Sequence, residues 1–210
     1  MGKNGLVLIT SRRRNLHNGA ALTEVRELHG QEIIDYMESH NVRVNGSTSA
    51  SIDGVIHRTH GVPLALSLVS KLHVIVGMPW KEIVSRIDSR FGEVGVHDVE
   101  DPGRLDIRGA FHHSTFACIA VSVDVLSERL REKFVPLVLL PVGISVSTGI
   151  VGAIWNVTYP TSHLTSLYDH SLVVYDANQG TVRLHDLVRE YLEHLVRTNV
   201  NDSIAAHERV

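Results

Sequence analysis

The hydrophobic period changes midway through residues 181–192, TVRLHDLVREYL. Val182 and Leu184 alternate with polar neighbours, as on a half-buried strand, whereas Leu187, Val188, Tyr191, Leu192, Leu195 and Val196 recur at helical spacing. His185 and Asp186 stand at the junction. Asp186 suits an N-cap, its carboxylate accepting N–H groups of the first helical turn. Such a cap explains the Asp and leaves the His without a reason.

Similar patterning orders the rest of the chain. Leu6 to Ile9 form an unbroken apolar run that predicts a strand buried on both faces, and such a strand needs sheet neighbours. Few residues precede it, so the chain reads as the later part of something larger, with residues 1–29 belonging to an α/β unit. A helix is expected near residues 30–40, with Ile33, Ile34 and Met37 on one face, and a Ser/Gly/Asn-rich loop at 41–51. A second helix follows over residues 52–60. Pro63 and Pro79 each suit the first position of a further helix, where the missing N–H is not needed. Residues 30–91 thus predict a small helical bundle.

Glycines 92, 95, 103 and 109 and Pro102 mark residues 92–110 as a linker. Residues 111–197 then read as helix, an apolar stretch with two prolines, two short helices, a β-hairpin turning through ANQG, and a closing helix. That order is the winged-helix layout. Residues 198–210 look like the start of another helix. The expected fold is therefore mainly α with a small β-hairpin, a helical bundle followed by a winged-helix domain.

Composition narrows the function. The chain has 210 residues with 20 Lys and Arg against 23 Asp and Glu, a net charge of −3, so no overall positive field favours nucleic acid or anionic membrane as a partner. The single cysteine, Cys118, cannot form an internal disulfide and points to a reducing compartment and a buried core position. No leader-like or membrane-spanning apolar run is present, and a cytoplasmic location is expected. The chain lacks a phosphate-binding G-x-x-x-x-G-K-[ST] loop, an apolar strand ending in paired acids, and H-E-x-x-H, so it does not read as an enzyme, and no metal ligands stand out.

Three stretches, taken in order, carry a resemblance. LVLITSR at residues 6–12, GVPLAL at 61–66 and RLHDLV at 183–188 resemble the Thr-Thr-Arg, Gly-Leu-Pro-Leu-Ala-Leu and Met-His-Asp motifs of the NB-ARC family. These are signal-transducing P-loop ATPases of plant disease-resistance receptors, the apoptotic protease-activating factor and microbial relatives. The similarity covers residues 6–197, with Ser11 and Leu184 as mild departures and the missing Walker A and B elements as a severe one.

The resemblance implies a set of roles. Arg12 would be the sensor arginine reaching a terminal phosphate, Gly61, Pro63 and Leu64 would line an adenine pocket, and His185 would approach the β-phosphate of ADP. The cofactor would be ADP or ATP, held jointly with an upstream P-loop domain and bound weakly or not at all by this chain alone. Further implied partners are a downstream repeat or sensor domain and other copies in an active oligomer. Two other classes compete: a nucleotide-independent interaction scaffold, and a winged-helix DNA-binding regulator. The second is disfavoured because its candidate recognition helix, TSHLTSLYDH, has no Lys or Arg.

Overall fold

The computed structural model describes residues 23, 25–44, 49–94 and 107–207. The strand expected at residues 6–9, and Arg12 with it, lie outside them. Among the described residues the protein is mainly helical, with nine α-helices and one small antiparallel sheet.

The first four helices are α1 (Gln31–Ser39), α2 (Ser49–Thr59), α3 (Pro63–Val74) and α4 (Trp80–Val94). Pro63 occupies the opening turn of α3, where its fixed φ suits the helix and its absent N–H costs nothing. Pro79 stands just before α4 and accepts the N–H groups of Glu82 and Ile83 through its carbonyl. Helix α3 buries Ala65, Leu66, Leu68, Val69, Ser70 and Leu72, a band too wide for a surface helix. It is accordingly enclosed, packing against α1, α2, α4 and α5.

Helix α5 (Ile107–Asp124) starts inside the stretch expected to be a linker. Residues 114–123 are buried on every side, because α5 packs against α2, α3 and α4 and also against α9. The boundary expected near residue 111 therefore falls within a helix that both halves share. The helix expected ahead of the proline-containing apolar stretch is broken: α6 (Glu128–Phe134) begins afresh where the Ser127 hydroxyl accepts the Leu130 N–H at 3.3 Å. A short 3-10 turn at Val135–Leu139 follows.

Helices α7 (Thr148–Trp155) and α8 (Thr161–Asp169) lead into the hairpin of β2 (Val174–Asp176) and β3 (Thr181–Arg183). The Asp176 carboxylate accepts the N–H groups of Asn178 at 2.9 Å and Gln179 at 3.0 Å, which closes the connecting turn. The sheet has a third strand that the sequence pattern did not predict. The two-residue β1 (Val146–Ser147) pairs antiparallel with β3, in the order β1-β3-β2, with Val146 opposite Val182. Helix α9 (Asp186–His207) runs on without a break, so the start of a separate helix expected at residues 198–210 is instead continuous with it.

Candidate functional site

Period-two burial decides where His185 goes. Val182 and Leu184 are buried while Arg183 and His185 are not, so the chain leaving β3 sends its apolar side chains to the core and His185 away from it. Helix α9 then buries Val188, Tyr191 and Leu192, which fixes the register of the junction.

The start of the helix also engages His185. Its Nδ1 accepts the Leu187 N–H at 3.2 Å. Asp186 opens α9, with its charge near the positive end of the helix dipole. Accepting at Nδ1 leaves the ring proton of a neutral imidazole on Nε2, which is then a donor. The ring keeps an exposed edge, but loss of water on its other sides lowers its pKa below the ordinary 6.5. Asp186 pulls the value back up and Arg183 adds to the lowering.

His185 lines an open cleft of about 400 Å³. Pro63, Leu64, Ser67 and Lys71 contribute one wall from α3. Tyr36, Ser39, His40 and Asn41 come from the end of α1, and Tyr168, Ser171, Leu172, Val173 and Val174 from the end of α8 and the start of β2. The cleft thus collects residues 36–41, 63–71, 168–174 and 185, four segments far apart in sequence.

Two of its walls end in the same way. Val42 N–H bonds to the Met37 carbonyl and Asn41 N–H to that of Glu38, with Asn41 at φ 65. Leu172 N–H bonds to the Leu167 carbonyl and Ser171 N–H to that of Tyr168, with Ser171 at φ 56. Both are Schellman endings, in which a left-handed residue reverses the chain and satisfies the last carbonyls of the helix. Across the gap between α3 and α8, the hydroxyls of Ser67 and Ser171 are 2.6 Å apart and hydrogen-bonded. Partial burial raises the pKa of the Tyr36 phenol, and a hydrogen bond with Ser67 pulls it back.

The chemistry of the lining is uneven. Pro63, Leu64, Leu172, Val173 and Val174 supply an apolar surface, of which Pro63 and Val174 are exposed. Hydroxyls, the Asn41 amide, two imidazoles and the Lys71 ammonium supply polar groups, and among the described residues no carboxylate side chain lines the cleft. Such a lining suits a ligand with an apolar or planar part and an anionic part.

The resemblance implied five site residues, and Pro63, Leu64 and His185 share this cleft. Gly61 does not line it. It is buried in the turn before α3 at φ 70, with its carbonyl accepting the Leu28 N–H at 3.0 Å. Tyr36, Ser67 and Lys71 were not singled out from sequence. Ser67 and Lys71 follow Pro63 at intervals of four, the one pattern that could have shown them on its face of α3.

Among the described residues no group of three or more His, Cys, Asp or Glu could hold a metal ion, and no helix is long and apolar enough to cross a membrane. No protein-family profile matches the chain, and no curated protein matches it.

Proposed function

We propose that this chain is the nucleotide-responsive regulatory portion of an NB-ARC-type signalling switch. Its helical bundle and winged-helix unit would close over ADP held jointly with a P-loop domain. The observation that carries this reading is the shared cleft: Pro63 and Leu64, from one motif, and His185, from another, line the same 400 Å³ space. In this reading the purine rests on Pro63 and Leu64, a surface without competing donors. The Nε2–H of His185 donates to a phosphate oxygen.

The β1-β3-β2 sheet, with α7 and α8 before its hairpin and α9 after it, supports the winged-helix assignment. Residues on α1, α3, α8 and β2 meet at the cleft, so nucleotide contacts that differ between open and closed arrangements would shift their populations. Helix α8 carries no Lys or Arg, which weighs against DNA recognition.

Titration of the isotopically labelled chain with ADP, followed by NMR, tests the reading. Weak saturable shifts should concentrate at the amides of Leu64, Ser67, Ser171 and His185. Tight binding by this chain alone would refute a site shared with a P-loop domain. Shifts confined to other regions would refute the nucleotide assignment.

A further inference from the structure

The cleft contains one lysine that none of the motifs assigns. Pro63, Ser67 and Lys71 are spaced by four residues along α3, which brings them near one face of the helix. From Pro63 to Lys71 the helix rises about 12 Å. The α3 wall of the cleft is therefore graded, with an apolar ring at one end, a hydroxyl in the middle and an ammonium at the other. Lys71 makes no salt bridge among the described residues, although Arg58, Arg86 and Arg90 are paired with Asp88, Glu82 and Asp124. It is half-buried, and among the described residues the cleft has no carboxylate side chain to neutralise it.

A half-buried cation that meets no carboxylate among the described residues of its pocket is complementary to an anion from outside. We propose that Lys71 is a phosphate-binding residue of this cleft, gripping the charged end of a nucleoside diphosphate whose base lies toward Pro63. This rests on the nucleotide reading above and adds a residue and a polarity to it. The ammonium is a point charge that contacts phosphate oxygens without demanding a fixed fork geometry. Its contribution should therefore follow the charge of the ligand, strong for ADP and negligible for adenosine.

The test compares the wild-type chain with Lys71→Met, which keeps the length of the side chain, and with Lys71→Arg, which keeps the charge. ADP and adenosine are titrated against each by NMR, with His185→Ala as a reference and thermal unfolding as a check on folding. Lys71→Met should weaken ADP about tenfold, the low end of what one charged hydrogen bond contributes, because the site is partly exposed. Adenosine should be unaffected, and Lys71→Arg should restore most of the ADP affinity. Unchanged ADP binding by Lys71→Met, with His185→Ala weakened, would overturn the lysine assignment and leave the nucleotide reading standing. Equal weakening of ADP and adenosine by Lys71→Met would show that the lysine shapes the cleft without contacting phosphate, which also overturns it. ADP shifts confined to regions away from the cleft in the wild-type chain would overturn both.

Discussion

Replacing Gly61 by Ala tests how the α3 wall of the cleft is supported. A Cβ at this position would stand 2.0 Å from the carbonyl oxygen of Leu28, and the residue sits at φ 70. The left-handed backbone by itself costs an L-residue about 1–2 kcal/mol. The close approach involves backbone, so no side-chain rotation relieves it, and the segment carrying Leu28 must move away. That movement breaks the Leu28 N–H to Gly61 carbonyl bond of 3.0 Å, worth about 1 kcal/mol. It also unpacks part of the Leu28 side chain, which rests against the core, for about a further 1 kcal/mol.

The expected loss is therefore about 3–4 kcal/mol, measured as a shift in urea midpoint at constant m. Gly77→Ala is the matched control, since Gly77 has φ 75 and nothing within 4 Å of an added Cβ. It should cost about 1–2 kcal/mol, the conformational part alone. Hydrogen exchange at the Leu28 amide should also quicken in Gly61→Ala and not in Gly77→Ala. A Gly61→Ala loss no larger than that of Gly77→Ala would refute the reasoning.

Three further outcomes are expected. Burial lowers the pKa of His60, His170 and His185 below the ordinary 6.5, so each favours its neutral form when folded. Their contribution to stability is complete above about pH 6.5 and is lost as pH falls through the folded-state values. Urea midpoints should fall on acidification, and His185→Ala should reduce the fall; an equal fall in the variant removes His185 from the account. Ser127→Ala removes the cap of α6 and should cost about 1 kcal/mol by chemical denaturation; no loss would mean that water replaces the hydroxyl. Burial leaves Cys118 without solvent contact and pushes its thiol up to about 12, so thiol reagents should label it only as fast as the chain opens. Rapid labelling in native buffer would contradict its place in the core.

Local patterns determined a large part of this protein. Pro63 could begin a helix, residues 181–184 alternated as a strand, and the apolar spacing from Leu187 onward allowed only a helix. These are near-neighbour effects of backbone sterics and side-chain period, and one sequence contains them whole. The break before α6 was within reach too, since Ser127 followed by Glu128 is a start signal inside an otherwise helical run.

Tertiary structure decided the rest, because the deciding groups lie far apart in the chain. The two-residue β1 exists only because β3 offers it hydrogen bonds, and its own sequence is too short to carry a period. Residues 114–123 of α5 are buried on every side because α2, α3, α4 and α9 meet on them, which no spacing within α5 could announce. The same holds at the cleft. His185 joins the cap of α9 because Leu184 is anchored in the core and the ring turns back onto the Leu187 N–H. Lys71 and His185 line one space because α3 and the end of β3 pack on either side of it, and chemistry shared across that distance is written only in the fold.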